Sequence, residues 1–267
     1  PFLYINQPSR GAKSVIIITE VDAIPPILPI TTPSTTEVLR NVFPSLTPIF
    51  SRGQRDVSDI DVAARKDIIY VAKQLTELPV FVSSVNPEEL KMAAENGADV
   101  LEIGNYDKLY KDGQRISAEE VLNITSDTLK LLDRKIPVCV TVPGHISIAE
   151  QISLAQKLEE MGVDMIQTEG AATVEINNQG ARGLMEKAQV SISNTVELVR
   201  NVSIPVMTSS GITQTTAPMA FAAGASAIGI GSCVNRLESV IEMIAVIRAT
   251  VEAVDKLRNP EREPALV

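Results

Sequence analysis

Two short phrases alternate along the chain, and this internal repeat constrains the fold more than any other feature. The first phrase occurs three times, as LPVFVSS at 78–84, IPVCVTV at 136–142 and IPVMTSS at 204–210. The second alternates with it, as GADVLEIG at 97–104, GVDMIQTEG at 162–170 and GASAIGIGS at 224–232. Each phrase holds a short apolar run rich in β-branched residues, which is typical of strands buried on both faces of a parallel sheet.

Helix start and stop signals fill the gaps between these phrases. A serine stands three residues before a glutamate at Ser117 and again at Ser147, which is the capping-box pattern, and Gly162 follows the second of these helices. With a weaker phrase, DVSDIDVAA at 56–64, seven strand–helix units can be counted from 56 to 254. Strands that alternate with helices in this way require right-handed crossovers and parallel pairing.

This pattern predicts an α/β fold, a TIM (β/α)8 barrel whose first β/α unit is atypical or missing. The seven predicted strands lie near 58–62, 79–83, 99–103, 137–141, 164–168, 205–208 and 227–230. A doubly wound open sheet is the alternative. It is disfavoured because no G-x-G-x-x-G turn occurs early in the chain.

The first 55 residues do not follow the repeat, and we predict an irregular, proline-rich segment at 1–55. It holds half of the sixteen prolines and begins with Pro1, which indicates a fragment or a processed form. The run SVIIITEV at 14–21 could supply a first strand. The predicted barrel domain spans 56–254 and is followed by a tail at 255–267.

Composition excludes several classes of function. The 267 residues are 45% hydrophobic, which is ample for one large core. A net charge of −9 and a pI near 4.8 disfavour nucleic acid and anionic membranes as partners, and no apolar run is long enough to span a bilayer. Cys139 and Cys233 indicate a reducing compartment, and with His145 as the one histidine no metal site is predicted.

Small residues end the last two predicted strands, where the barrel fold frequently binds phosphate. Backbone N–H groups can approach phosphate oxygens where side chains are small, and a helix that starts near Ser232 would add its dipole. The alternative is that glycine and serine only permit tight turns at these positions. The order and place of the two turns favour a phosphate site, whose predicted residues are Ser209, Ser210, Gly211, Gly231 and Ser232.

Acidic residues end or follow three other strands. Asp61, Glu102 and Glu169 are candidates for general acid or base, because burial at a strand end tunes a carboxyl pKa. The alternative is a purely structural role as hydrogen-bond acceptors. His145 follows the fifth strand, where an acid/base role and a structural one are equally open.

Two loops add weaker candidates. Asn105, Tyr106 and Asp107 predict a polar lip above the fourth strand, or only a solvated turn. The polar, glycine-containing segment at 170–189 predicts a lid or a mobile loop.

No lysine stands at an inward-facing strand end, which disfavours a Schiff-base aldolase. A Mg²⁺ ion shared with a substrate phosphate is not excluded.

Several motifs together resemble one known family. They are DIDVAA, LPVFVSSVNPEEL, GADVLEIGNYDKLY, SAEEVLNIT, VTVPGH, GVDMIQTEG and APMAFAAGASAIGIGSCVN. Over about 56–254 the chain resembles the plastid and cyanobacterial family named hypothetical chloroplast reading frame twenty-three. The resemblance implies a phosphate-binding TIM barrel in the chloroplast stroma or the cyanobacterial cytoplasm, and it implies no reaction. The segment 1–55 does not resemble the family's first strand and helix.

The sequence therefore favours a soluble barrel enzyme that acts on a small phosphorylated metabolite as an isomerase, epimerase, synthase or lyase. The first alternative is an FMN-dependent oxidoreductase, because FMN-binding barrels hold the cofactor phosphate on the same two loops. The second is a non-catalytic sensor or assembly factor that keeps the phosphate site. Cofactor and oligomeric state are left open.

Overall fold

A ring of parallel strands occupies the centre of the described part of the chain. The computed structural model describes residues 14–18, 59–75, 78–104, 106, 109–110, 113–132, 136–170, 180–237 and 239–258. Within these ranges the strands are β1 Ser14–Ile18, β2 Asp59–Ala63, β3 Val80–Ser84, β4 Val100–Ile103, β5 Val138–Val142, β6 Met165–Thr168, β7 Val206–Thr208 and β8 Ala227–Ile230. Each strand pairs in parallel with the next, and β8 pairs with β1, so the strands close into a barrel.

Helices follow the strands from β2 onward. In the described ranges they are α1 Lys66–Leu75, α2 Pro87–Glu95, α3 Ala118–Leu131, α4 Ile148–Glu160, α5 Gly180–Asn201, α6 Ala217–Ala222, α7 Ser232–Asn235 and α8 Val240–Arg258. The predicted α/β class and the parallel pairing are confirmed. Each of the seven predicted strands agrees with an observed strand to within one residue at both ends.

The first strand comes from the segment that the repeat left out. Residues 14–18 form β1, with Ile16 in register with Asp59 of β2 and with Gly229 of β8. The strand of the first unit is therefore present, because the candidate strand in SVIIITEV closes the ring. Residues 19–58 lie outside the described residues, so a helix after β1, and with it the complete (β/α)8 TIM barrel, stays a prediction.

The other end of the predicted domain also differs. The last helix, α8, continues to Arg258, past the predicted boundary at residue 254. The remainder of the predicted tail, at 259–267, lies outside the described residues.

The predicted capping boxes are confirmed by reciprocal hydrogen bonds. The Ser117 hydroxyl accepts from the Glu120 N–H at the start of α3, and the Glu120 carboxylate accepts from the Ser117 N–H. Ser147 and Glu150 repeat the same pair of bonds at the start of α4. These bonds satisfy N–H groups that a helix leaves without partners in its first turn.

The repeated Gly-x-Asp phrase has a local physical cause. Its third residue donates its N–H to the carbonyl at the start of the preceding strand, from Asp99 to Val80 at 2.9 Å and from Asp164 to Val138 at 3.0 Å. The aspartate carboxylate also accepts from the N–H of that same strand residue, at 2.8 Å for Val80 and 2.9 Å for Val138. The third copy has Ser226 in this position and keeps the backbone bond, to Val206 at 2.9 Å. The phrase therefore fixes the register between neighbouring strands.

Side chains alternate between two cores along each strand. One set of strand side chains packs against the surrounding helices, with Leu90, Leu154 and Leu158 among the fully buried helix residues. The other set forms a separate apolar cluster from six consecutive strands, made of Phe81, Val100, Cys139, Met165, Met207 and Ala227. Because strand side chains alternate between faces, this second cluster lies inside the barrel.

We predict that Asp164→Ala lowers the free energy of unfolding by about 1–2 kcal/mol, because the Val138 N–H at the start of a buried strand loses a charged acceptor. Urea unfolding followed by circular dichroism measures this change. Asp127→Ala is the matched control, since Asp127 pairs with Lys130 on the surface of α3, where both side chains are more than half exposed. The control is expected to change stability by less than about 0.5 kcal/mol. Equal effects in the two variants would contradict this role of the repeat.

Candidate active site at the carboxyl ends of the strands

A layer of polar side chains lies inside the barrel, next to the apolar interior cluster. Ser83, Glu102, Thr141 and Gln167 each stand two residues after a member of that cluster, so they face the same interior. All four are at most 7% exposed. Being further along parallel strands, they lie toward the carboxyl ends, which is the end where barrel enzymes carry their sites.

The Glu102 carboxylate is the centre of this layer. It accepts hydrogen bonds from the Ser83 hydroxyl at 2.6 Å, the Thr141 hydroxyl at 2.8 Å and the Gln167 amide at 2.5 Å. The donors come from β3, β5 and β6, so the carboxylate joins three strands to its own. A buried charge is tolerated only when donors surround it in this way.

Gly104 leaves the space above this carboxylate open. A Cβ on Gly104 would overlap the Glu102 and Thr141 side-chain oxygens. The residue after β4 must therefore lack a side chain if the Glu102 network is to form. Glycine here is a requirement of close approach and not of backbone conformation.

Glu169 makes a second polar centre at the mouth of the barrel. It follows β6 directly and is 7% exposed. Its carboxylate accepts from the Tyr110 hydroxyl at 2.8 Å and from the Gly144 N–H at 3.0 Å, so it joins the loops after β4 and β5. A Cβ on Gly144 would collide with the Glu169 carbonyl oxygen. Glycine therefore permits the close approach that the Gly144–Glu169 bond needs.

His145 lies next to this centre. Its Nδ1 is 3.3 Å from the Tyr110 hydroxyl, which lies between the histidine and Glu169. The shorter distance and the negative charge favour donation from Tyr110 to Glu169. His145 is thereby connected to Glu169 through one phenol group.

Burial and a nearby cation change the protonation of His145. Partial burial is the larger cause and the charge of Arg115 the second, and together they hold the pKa of His145 below its usual value of 6.5. Arg115 also stacks on the Tyr110 ring, with its guanidinium carbon 4.9 Å from the ring centroid. The neutral imidazole is therefore favoured at neutral pH, as a proton acceptor requires.

Tyr106 is a buried residue and not part of an exposed polar lip as predicted. Its side chain is 0% exposed, and its hydroxyl donates to the Thr141 carbonyl at 2.8 Å. Burial, followed by the charges of Glu169 and Glu102, raises the pKa of Tyr106 well above its usual value. Both carboxylates thus lie close enough to act on one phenol. Asn105 and Asp107, the other predicted lip residues, lie outside the described residues.

The predicted carboxylates do not all stand at strand ends. Glu102 is the third residue of the four in β4, and Asp61 is the central residue of β2, in register with Phe81. The strands continue past these residues, which is why the expected positions at or beyond the strand ends are wrong for both. Glu169 is placed as predicted. The Asp61 side chain lies outside what the structure describes, and its catalytic role stays a prediction.

The two turns predicted to hold phosphate follow adjacent strands. β7 and β8 pair in parallel, with Thr208 in register with Ile228, so the turns leave the same edge of the barrel. Ser210 and Gly211 both have left-handed backbones, with φ values of 74° and 75°. Such a conformation is uncommon for a residue other than glycine and often marks a functional turn. No described residue accepts a hydrogen bond from the N–H of Ser210 or Gly211.

The helix that begins at Ser232 is shorter than the predicted dipole role requires. Helix α7 has only four residues, and Gly231 precedes it without a side-chain cap. A single turn sums few peptide dipoles, so any anion at Gly231 and Ser232 would depend on the individual N–H groups.

The predicted lid is in part a helix. Residues 171–179 lie outside the described residues, whereas Gly180–Asn201 forms the 22-residue helix α5. The Ser191 hydroxyl on this helix donates to the Ser210 carbonyl at 3.1 Å, and the Thr195 and Thr208 hydroxyls are 2.6 Å apart. The helix that contains the second half of the predicted lid therefore supports the turn after β7 through residues beyond 189.

Several residues of the site were missed by the sequence reasoning. Ser83, Thr141 and Gln167 carried a usable signal, because each stands at the inward phase of its strand. Tyr110 and Gly144 carried none, since their contacts with Glu169 span 59 and 25 residues through loops.

The described residues show neither a metal-binding cluster nor a membrane-spanning helix. They contain no group of three or more His, Cys, Asp or Glu side chains that could hold a metal ion. None of the helices in these ranges is both long and apolar enough to cross a membrane.

We predict that NMR titration of His145, the one histidine in the sequence, gives a pKa below 6.5 and that Arg115→Gln raises it. The unfolded chain takes up this proton first, so His145 stabilises the fold above pH 6.5 and that contribution is lost as the pH falls through the folded pKa. Arg200→Gln is the control, since Arg200 pairs with Glu197 on the surface of α5. An Arg115→Gln titration that matches the parent would show that the guanidinium does not act on His145.

Solved structures share this fold at low sequence identity. A thiamine phosphate pyrophosphorylase from Pyrococcus furiosus matches 93% of this chain and 98% of its own, with a TM-score of 0.56 and 16% identity. A (S)-3-O-geranylgeranylglyceryl phosphate synthase from Thermoplasma acidophilum, in complex with its substrate sn-glycerol-1-phosphate, matches 92% and 94%, with a TM-score of 0.53 and 15% identity. At such identities the similarity concerns the fold alone.

Closer relatives are found by sequence. The uncharacterized protein ycf23 of Porphyra purpurea is 36% identical over 203 residues, which cover 76% of each chain. The protein of the same name from Cyanophora paradoxa is 36% identical and covers 72% of this chain and 79% of its own. A family model described as "Protein of unknown function (DUF561)" matches residues 49–259. The chain therefore belongs to the DUF561 family, together with the ycf23 proteins.

Proposed function

We propose that the protein binds a small phosphorylated metabolite at the carboxyl ends of its strands and acts on it as an isomerase, epimerase, synthase or lyase. The scaffold in this proposal is a complete (β/α)8 TIM barrel. The observation that carries it is the common placement of two features at one edge of the barrel. The small-residue turns after β7 and β8 leave the same edge as Glu169 and its partners Tyr110 and His145.

The phosphate would lie against the two turns. Ser209, Ser210 and Gly211 on one turn and Gly231 and Ser232 on the other have small side chains or none, so oxygens can reach the backbone. The N–H groups of Ser210 and Gly211 have no described acceptor, and an anion would supply one. The left-handed backbone of Ser210 is a cost that such binding would offset, whereas Gly211 adopts it without strain.

The acid/base chemistry would fall first to Glu169. Its carboxylate is held by Tyr110 and Gly144 at the mouth, and the neutral imidazole of His145 is within reach of the same phenol. A proton can pass between groups arranged in this way without passing through bulk water. Glu102 is the second candidate, deeper in the barrel, and its three donors make it the less mobile of the two carboxylates.

The solved structures of similar fold support the substrate class by analogy. One is named for thiamine phosphate, and another contains sn-glycerol-1-phosphate as its substrate. Fold analogy raises the expectation of a phosphorylated ligand and leaves the reaction open. The chloroplast stroma or a cyanobacterial cytoplasm is the proposed location of the protein, and the ycf23 relatives from Porphyra purpurea and Cyanophora paradoxa support a plastid. The net charge of −9 supports a small-molecule partner over nucleic acid.

The experiment that tests this proposal is mass spectrometry of small molecules that copurify with the protein, combined with titration of inorganic phosphate by calorimetry. A bound phosphorylated metabolite and saturable phosphate binding are expected. Flavin absorbance with bound FMN would support the FMN-dependent oxidoreductase instead. Binding that leaves the metabolite chemically unchanged would support the non-catalytic sensor or assembly factor.

We predict that Gly211→Asp and Gly231→Asp each abolish phosphate binding, because an added carboxylate fills the approach to the N–H groups and repels the anion. Calorimetric titration of inorganic phosphate measures the loss, and a thermal melt shows whether the fold survives. Gly231 has a φ of −130°, so aspartate causes no left-handed strain there, whereas Gly211 at 75° adds that cost.

Gly97→Asp is the matched control for these variants. Gly97 has a φ of 96° and ends the turn before β4, at the opposite end of the barrel, and a Cβ there meets nothing within 4 Å. This variant therefore carries the same new charge and a similar backbone cost without touching the turns. Unchanged phosphate affinity in folded Gly231→Asp protein would contradict the proposed phosphate site.

We predict that Glu169→Gln lowers kcat on the copurified metabolite by about 10²–10⁴-fold while phosphate affinity is kept, since the amide preserves the shape and removes the base. Steady-state kinetics with the identified metabolite measures the change. Glu197→Gln is the control, because Glu197 lies on the outer surface of α5 and pairs with Arg200. Full turnover by Glu169→Gln would remove Glu169 from the chemistry and leave Glu102 as the candidate.

A further inference from the structure

We infer that Gln167 and Ser209 form a subsite for a hydroxyl group of the substrate, which makes the substrate class a short hydroxylated alkyl phosphate. This inference rests on the proposed phosphate site and adds to it the recognition of the rest of the molecule. It is carried by two unpartnered polar atoms inside the barrel mouth, the Gln167 side-chain oxygen and the Ser209 hydroxyl.

The Glu102 network fixes which way the Gln167 amide points. The Gln167 Nε2 donates to Glu102 at 2.5 Å and to Thr141 Oγ1 at 3.0 Å. Thr141 in turn gives its one hydroxyl proton to Glu102 at 2.8 Å, so its oxygen is the acceptor in the bond from Gln167. The amide nitrogen thus faces two acceptors. A flipped amide would place its oxygen against the carboxylate, which has no proton to offer when ionised.

The fixed orientation leaves Gln167 Oε1 as a committed acceptor without a donor among the described residues. Gln167 is 6% exposed, so bulk water does not supply that donor. A buried acceptor in this state destabilises the fold, and a ligand that donates to it gains the difference.

The Ser209 hydroxyl is the second unpartnered atom, in a residue that is 3% exposed. Gln167 lies on β6 and Ser209 directly follows the neighbouring strand β7, where the Ser209 N–H donates to the Thr168 hydroxyl at 3.3 Å. Met207 belongs to the interior cluster, and Ser209 stands two residues after it, so its side chain faces the same interior as Gln167.

These two atoms together match a hydroxyl better than other groups. The amide oxygen only accepts, while the serine hydroxyl both donates and accepts, so a ligand hydroxyl can donate to Gln167 and accept from Ser209. An ammonium group could donate to both oxygens but would leave the Ser209 hydroxyl proton without an acceptor, and a second anion would be repelled by the amide oxygen. Ser209 also opens the proposed phosphate turn, which places the recognised hydroxyl within a few bonds of the phosphate.

The test compares three probes on the purified full chain by calorimetry. Inorganic phosphate reports the phosphate site alone, n-propyl phosphate adds an apolar chain, and glycerol phosphate adds hydroxyls to the same chain length. We expect the parent to bind glycerol phosphate about tenfold more tightly than propyl phosphate. A tenfold difference in affinity is what the hydrogen bonds of one added hydroxyl group typically contribute. Gln167→Met should remove most of this preference while inorganic phosphate still binds.

Ser209→Ala is the second variant. The Ser209 hydroxyl makes no hydrogen bond to a described residue, so this variant should fold even if Gln167→Met does not. It should reduce the preference for glycerol phosphate over propyl phosphate. Thr128→Val is the matched control, since Thr128 on α3 carries another buried, unpartnered hydroxyl away from the strand ends. The control should keep the full preference.

The outcomes separate this inference from the proposal beneath it. Parent protein that binds no inorganic phosphate contradicts the phosphate site and the subsite with it. Parent protein that binds all three probes with equal affinity keeps the phosphate site and overturns the subsite, whose two atoms then meet only an ordered water. A preference that persists in folded Gln167→Met and Ser209→Ala also overturns it.

Discussion

A carboxylate buried inside the barrel, that of Glu102, dictates the residues around it. An ionised carboxylate without partners in such a place costs several kcal/mol, so its neighbours must donate. Ser83, Thr141 and Gln167 do so from three other strands, and Gly104 keeps a side chain out of the space above. The inward-facing side chains of β3 to β6 are therefore apolar at one level and polar two residues further toward the carboxyl ends of the strands. The network also fixes the direction of the Gln167 amide. Its side-chain oxygen is thereby left as an acceptor in the polar layer.

The strands could be predicted because their cause is local. Each Gly-x-Asp phrase makes its bonds to the start of the preceding strand, and each capping box closes within four residues, so a short window of sequence contains the whole interaction. Strand β1 was only a candidate, because nothing in residues 14–18 repeats the phrase. The lid at 170–189 was misjudged for the opposite reason. Its glycines suggested a hinge, whereas burial of residues such as Ala188 against the barrel holds the second half of this segment, 180–189, in helix α5.

The site was less accessible to sequence reasoning, because its contacts depend on loop geometry. Glu169 could be singled out from its place after a strand, yet its partners could not, since Tyr110 and Gly144 reach it from two other loops. Glu102 was chosen as a catalytic candidate without its three donors. Alternation along the strands contained that information, because a polar residue stands two positions after an apolar interior residue in four strands in succession.

Helix α5 connects the support of the site with its proposed chemistry. Its Ser191 holds the Ser210 carbonyl, and its Thr195 holds Thr208 at the end of β7, so the turn keeps its left-handed backbone under constraint from outside the barrel. A backbone held in this way presents its N–H groups without needing to reorganise when an anion arrives, which is how preorganised sites gain affinity. Glu169 follows the neighbouring strand β6 and is held by Tyr110 and Gly144 from the loops after β4 and β5. Gln167 lies on β6, two residues before Glu169, and Ser209 opens the turn after β7, so a ligand anchored by its phosphate would place its next polar group near these two residues.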